Sequence, residues 1–183
     1  GFDSGPGNTL MDAWTAKQKQ PRFDNDGKFA ASGNIEKSLL EKLLADEYLQ
    51  LAPPKSTGFE YYNLEWLQTY LDDHINLEDV QRTLCVYTAR SIIDAIDCYA
   101  TETDEIYICG GGVHNPVLMQ HIKQLTNRPV ETTEKLGVHP DWVEAMAFAW
   151  LAYQNTHGLP GNLPSVTGAR KFTRLGEMTT HSM

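Results

Sequence analysis

The run EIYICGGGVHNPVLM, residues 105–119, limits what this chain can fold into more than any other segment. Ile106 to Cys109 are β-branched, aromatic or apolar, which predicts a short buried strand. Gly110, Gly111 and Gly112 end it. Asn115 is placed to cap a helix whose first residue is Pro116, a favoured start, and apolar Leu118, Met119, Ile122 and Leu125 carry that helix on. RPVETT, residues 128–133, offers a second short strand. Strand, glycine turn, helix and strand make an α/β layer. An ordinary doubly wound domain of 183 residues shows more strands than these.

The first eight residues, GFDSGPGN, repeat the design. An apolar approach enters a turn of Ser4, Gly5, Pro6 and Gly7, and Asn8 can cap a helix over about Thr9 to Lys19, with Leu10, Met11 and Trp14 on one face and Pro21 ending it. Glycine lets backbone and ligand approach closely, and a helix N-terminus offers free N–H donors and partial positive charge. Such a turn suits an anion or nucleotide, or serves only close packing. Two of them in one chain favour the nucleotide. The GGG turn lacks the dinucleotide spacing, no GKS or GKT follows it, and no acid ends a following strand at the expected spacing, so an oxidoreductase ranks last. Asp3 repels phosphate but could act as general base for a water or hydroxyl, or could bond its own turn; spacing alone leaves both open.

Elsewhere, helices are expected over about Ile35–Leu44, in LEWLQTYL, over LEDVQRTLCVYTARSIIDAIDCYA and in HPDWVEAMAFAWLAYQN, where Asp141 and Glu144 fit a capping box and Gly158 a C-terminal stop. RFDNDGKFAASG reads as polar turn, and the tail after Gly158 as turn-rich and partly extended. Lys55, Ser56 and Thr57 lie in a loop that either binds a polar substrate or is simply solvated. His114 beside the GGG turn could face a ligand or be a surface residue. The other histidines (74, 121, 139, 157 and 181) form no metal-ligand pattern. A formal net charge of -9, spread along the chain, argues against nucleic-acid binding. Cys85, Cys98 and Cys109 read as reduced, buried thiols of a cytoplasmic protein. No apolar run is long enough to span a membrane.

Six segments, GFDSGPGNTLMDAW, DGKFAASGNI, PPKSTGFEYYNLEWL, DVQRTLCVYTARSI, ICGGGVHNPVLM and WVEAMAFAWLAYQNTHGLPGNLPSVTGA, resemble in order the C-terminal half of the anhydro-N-acetylmuramic acid kinases. The family more often has Thr where Ser4 stands, and the match is expected to fade from about Lys171. The resemblance implies one lobe of a two-lobed, actin-like ATPase or ribonuclease H-like fold, within the sugar kinase, heat-shock chaperone and actin superfamily. It implies an ATP- and Mg²⁺-dependent reaction: water opens the 1,6-anhydro ring of the amino sugar and O6 is phosphorylated, in peptidoglycan recycling.

By position, the resemblance makes Asp3 the catalytic base. Ser4, Gly5, Gly7 and Asn8 would line the phosphate end of the cleft. Gly110, Gly111, Gly112 and Asn115 would receive ATP, and Glu144 would help orient sugar or water. No metal ligand is assigned. The family's other phosphate loop, rich in Gly, Thr and Ser, is not found in these residues. The chain is therefore expected to be a single domain, residues 1–183, inactive by itself, and Asp3 to lack a supporting strand. A non-catalytic nucleotide-binding module of the same superfamily is the alternative. The oligomeric state is not set by the sequence, and a homodimer stays open.

Overall fold

A computed structural model describes residues 1–18, 22–72 and 74–179. The chain forms α1 (Thr9–Lys17), α2 (Lys28–Ser32), α3 (Lys37–Leu44), α4 (Glu47–Gln50), α5 (Leu64–Gln68) and the long α6 (Leu77–Tyr99). Then come β1 (Ile106–Ile108), α7 (Pro116–Leu125), β2 (Val130–Thr132), α8 (Val143–Thr156) and a short α9 (Pro164–Thr167). The architecture is mixed α/β, mostly helical, with a small parallel sheet.

The centre is α6. Its 23 residues span about 35 Å at 1.5 Å per residue. Val80, Leu84, Tyr87 and Ile93 are buried along it, with Gln81, Thr83, Thr88 and Ser91 also out of water. A helix buried on most sides needs neighbours all round, and α1, α2, α3 and α7 supply them. Leu10 and Trp14 of α1 enter this core, and the Trp14 indole donates to the Leu77 carbonyl at 3.0 Å. Leu39 and Leu43 of α3 enter it from another side. Gly33 lets α2 reach α6, since a Cβ there would sit 2.0 Å from the Glu78 carbonyl oxygen.

The β1–α7–β2 unit forms as the glycine turn requires. β1 and β2 pair in parallel, with Ile106 opposite Val130 and Ile108 opposite Thr132. Asn115 caps α7 by accepting from the N–H groups of Val117 and Leu118, both at 3.1 Å. β1 thus delivers its C-terminal end into the GGG turn, where open α/β layers hold ligands.

Several expectations are corrected. Asn8 flanks α1 without a side-chain cap bond. Helix α1 is described to Gln18, and Lys19 and Pro21, like His181, lie outside the described residues. The segment read as polar turn contains α2, because Asp24 takes the N–H groups of Phe29 and Ala30 at 2.7 and 2.8 Å. No capping box opens α8: Asp141 sits in the preceding 3₁₀ turn, Pro140–Trp142, and turns to His114. The tail contains α9. Of the cysteines, Cys85 is buried, whereas Cys98 and Cys109 are exposed.

Helix α8 contains no buried residue, although Met146, Phe148, Trp150 and Tyr153 are each more than half exposed. Its described neighbours are its own approach and the tail, where the Asn155 amide donates to the carbonyls of Leu175 and Gly176 at 2.7 and 2.8 Å. A helix apolar on every face is one that folded proteins normally bury.

Candidate active site

Asp3 is held by a loop more than fifty residues away in the chain. Its Oδ2 accepts from the Ser56 hydroxyl at 2.7 Å and from the Thr57 N–H at 3.0 Å. Its backbone N–H reaches the Lys55 carbonyl at 3.4 Å, and its own carbonyl accepts from the Tyr48 hydroxyl at 2.8 Å. No strand is present here; side chains and loop backbone take its place. Phe2 packs edge-on to Tyr99 with ring centroids 5.3 Å apart, which fixes the approach to Asp3 against the end of α6. A cavity of about 430 Å³ beside Asp3 is lined by Phe2, Pro54, Lys55, Ser56, Val166 and Thr167.

The Lys55 ammonium does not point at Asp3. It donates to the carbonyls of Tyr48 and Leu49 at 3.0 and 3.3 Å and lies over the Tyr48 ring, 4.7 Å from its centroid. Burial lowers its pKa from the ordinary lysine value. This lysine therefore ties the loop to α4.

The opening turn rests on α6. Gly5 is pressed against it, since a Cβ would meet Ser91 Oγ at 2.7 Å, and the Gly7 carbonyl accepts from Thr88 at 2.9 Å. Gly7 itself has φ +55. Ser4 faces a different cavity, beside Leu49, Arg90 and Cys98. Asn8 lies against the GGG turn, so the two glycine turns meet in space as well as in design.

Where they meet, a cavity of about 450 Å³ is lined by Asn8, Met11, Asp12, Phe23, Gly111 and Asn115, among others. Asp24 and Asp26 also reach it. Asp24 is occupied by the α2 N–H groups and Asp26 by Lys28 at 3.0 Å. The Asp12 pKa is raised above the carboxylate norm by burial first and by the Asp24 charge second. The amides, the carboxylates and the Phe23 ring suit a neutral aromatic group carrying hydroxyls, and the carboxylates repel phosphate.

Glu144 is exposed and lines neither cavity. His114 pairs with Asp141 at 2.8 Å at the rim of the larger cavity, which accounts for both side chains. Among the described residues no three His, Cys, Asp or Glu side chains converge as a metal site would require.

The family model described as Anhydro-N-acetylmuramic acid kinase matches residues 1–181. The chain belongs to this family. Curated anhydro-N-acetylmuramic acid kinases are similar to it throughout. That of Coxiella burnetii (strain Dugway 5J108-111) is 47% identical over 179 residues, covering 96% of this chain and 48% of the relative. Those of Vibrio vulnificus (strain YJ016) and Nitrosomonas europaea are each 48% identical, again over 96% of this chain and 48% and 49% of their own length. The chain thus spans about half the length of the curated relatives it matches. The family match runs to residue 181, well past Lys171, where it was expected to fade.

Within this kinase family member, sequence reading missed two contributors, Tyr48 and Asp12, and missed what Ser56 and Thr57 hold. Tyr48 carries no motif that points to Asp3. Ser56 and Thr57 stand in the quoted PPKSTG segment but reach Asp3 only through folding. Asp12 looks like an ordinary polar position of an amphipathic helix until α1 is set against the GGG turn.

Proposed function

We propose that the full-length protein is an ATP-dependent kinase of 1,6-anhydro-N-acetylmuramic acid. Water opens the anhydro ring and O6 is phosphorylated, giving N-acetylmuramic acid 6-phosphate for cell-wall recycling in the cytoplasm. Family membership and the fixed carboxylate of Asp3 beside a cavity support this reading, and Asp3 is the observation that carries it. Asp3 accepts a proton from water as the water oxygen bonds to C1 of the sugar. The C1–O6 bond breaks, leaving its electron pair on O6. O6 bonds to the γ-phosphorus as the bond to the β,γ-bridging oxygen breaks, and ADP leaves with that pair.

In this reading the cavity between Asn8 and Gly111 takes the adenosine part, whose hydroxyls and amine suit the carboxylates and amides there. Gly5, Gly7 and Asn8 join Asp3 to that cavity along the chain and take the phosphate end. Gly110 and Gly112 shape the turn, and Asn115 serves it by capping α7. Glu144 stands in the first turn of α8 and would act on sugar or water only in the complete cleft. A Mg²⁺ ion needs few protein ligands when phosphates hold it. Among the described residues, no three His, Cys, Asp or Glu side chains form a cage of their own for it.

The chain acts as one lobe of a two-lobed fold, residues 1–183 forming one domain, and the rest of the full-length protein covers the exposed apolar α8. Alone, these residues are expected to turn over little sugar. The test is Asp3→Asn in the full-length protein. Calorimetry should show ATP binding unchanged within about twofold, while turnover of the anhydro-sugar falls by about a thousandfold, as removal of a general base does. A variant that keeps near-normal turnover removes Asp3 from the mechanism.

A further inference from the structure

Asp3 is exposed and belongs to no helix or strand, yet it is fixed at both its backbone and its side chain by one segment, residues 46–57. The two ends of that segment grip it differently. At one end Asp46, only 5% exposed, gathers four donors. Tyr48 N–H and the Tyr62 hydroxyl reach Oδ1 at 3.0 and 3.2 Å, and the Tyr61 hydroxyl and Trp66 indole reach Oδ2 at 2.9 and 3.3 Å. Tyr48 is locked by this hub and by its edge-on contact with Tyr62, and its hydroxyl then donates to the Asp3 carbonyl. At the other end Ser56 and Thr57 both donate to one carboxylate oxygen, Oδ2. Lys55 joins the two ends by donating to the carbonyls of Tyr48 and Leu49.

The asymmetry at the carboxylate has a chemical meaning. Oδ2 has two hydrogen bonds, and Oδ1 accepts none among the described residues. A carboxylate pinned through one oxygen presents the other in a single direction, with its lone pairs free for a proton. A base left to rotate would lose that orientation, and a displacement near 1 Å costs about a hundredfold in rate.

We propose that Ser56 and Tyr48 are positioning residues for Asp3, and that they make Oδ1 the oxygen that takes the proton. This rests on Asp3 being the base. Ser56→Ala removes one hydroxyl from the wall of the cavity beside Asp3 and Tyr48→Phe removes none, so a loss that acts through Asp3 falls on kcat, whereas a lost substrate contact falls on the sugar KM. Ser56 is exposed, so Ser56→Ala opens no core cavity and leaves the Thr57 bond intact. Tyr48→Phe keeps the ring that packs on Tyr62 and beneath Lys55, and removes only the hydroxyl.

The experiment uses the full-length protein with ATP and 1,6-anhydro-N-acetylmuramic acid, and reads kcat, both KM values and Tm for Ser56→Ala, Ser56→Thr, Tyr48→Phe and Asp3→Asn. Ser56→Ala and Tyr48→Phe are expected to lower kcat about ten- to a hundredfold, with both KM values within about twofold, and Ser56→Thr to recover most of the rate because it restores the hydroxyl. A wild-type kcat in both Ser56→Ala and Tyr48→Phe, while Asp3→Asn abolishes turnover, overturns the positioning role and leaves Asp3 as base. A loss confined to the sugar KM also overturns it, since Ser56 would then bind substrate. Near-normal turnover in Asp3→Asn overturns the parent reading instead. Should Tm fall in one variant, the rates are compared below its transition, and the Ser56→Thr recovery still separates the hydroxyl from the fold.

Discussion

Asn8 and Gly112 fit against each other closely enough that any side chain on Gly112 must displace Asn8. A Cβ on Gly112 would meet Asn8 Oδ1 at 3.2 Å and Leu118 Cδ2 at 3.3 Å. The opening turn and the GGG turn, separated by a hundred residues of chain, therefore share one wall of the candidate adenosine cavity.

Gly112→Ala should push Asn8 aside by a few tenths of an ångström. The expected stability loss is below about 1 kcal/mol, because a side-chain neighbour can yield, while ATP affinity of the full-length protein falls several-fold. Gly110→Ala is different. Its φ of +80 with ψ of 179 lies where L-residues are strained, and about 1–3 kcal/mol of stability should be lost along with affinity. Calorimetric titration with ATP and urea unfolding measure the two effects. Wild-type affinity in both variants would mean that the GGG turn does not shape the site.

Gly33→Ala tests the core. The new methyl would lie 2.0 Å from the Glu78 carbonyl oxygen and 2.3 Å from its carbon, and these backbone atoms sit in the first turn of α6. They cannot swing away as a side chain can, so α2 must separate from α6. The expected loss is about 3 kcal/mol, at the upper end for overpacking, read as a lower urea midpoint at unchanged slope. A midpoint equal to wild type contradicts the close approach of these helices.

Asp24 offers a third test, because one carboxylate caps α2 with both oxygens. Asp24→Ala leaves the Phe29 and Ala30 N–H groups without their acceptor and frees the Gln81 amide, now 3.4 Å away. About 2 kcal/mol should be lost, more than for an ordinary cap, because the acceptor is charged and serves two donors. Asp24→Asn keeps one acceptor oxygen and should lose about half of that. Equal losses in both variants would assign the effect to charge alone.

These contacts also explain which parts of the chain were legible beforehand. The β1–α7–β2 unit was readable because its signals are local: a β-branched run, three glycines, Asn115 as cap and Pro116 at the first helical position. α6 was readable from its period. α2 was not, because its cap, Asp24, stands five and six residues before the N–H groups it takes, outside the usual cap spacing. Asp141 looked like a cap because Glu144 follows it at the right distance, but the return of the chain past the GGG turn brings His114 within 2.8 Å, and the aspartate pairs there. The hold on Asp3 was illegible for a related reason. Ser56, Thr57 and Tyr48 lie 45 to 54 residues from it, and no periodicity reports a contact made by chain reversal.

Alkaline pH should weaken the fold through Cys85, Tyr62 and Tyr87, buried in their neutral forms, and less through the part-exposed Tyr61. The Cys85 thiol is pushed up to about 12, chiefly by burial, with the Arg82 charge opposing. The Tyr61 phenol is also pushed up to about 12, by burial first and then by its hydrogen bond to Asp46, and burial raises Tyr62 and Tyr87 as well. In each case the folded value exceeds the unfolded one, so the folded state holds the proton more tightly. That contribution is fully present below the unfolded values of 9.0 for the thiol and 10.0 for the phenols, and is lost as pH rises through the folded ones. Urea stability should therefore be flat up to about pH 9 and fall steadily from there towards pH 12. Cys85→Ala should lower stability at neutral pH by about 1 kcal/mol and make the onset of the fall shallower, because the buried thiol no longer titrates. Tyr61→Phe should change the slope little, since Tyr61 is 38% exposed and water screens its charge. A stability that rises with pH between 9 and 12 contradicts the burial of these groups.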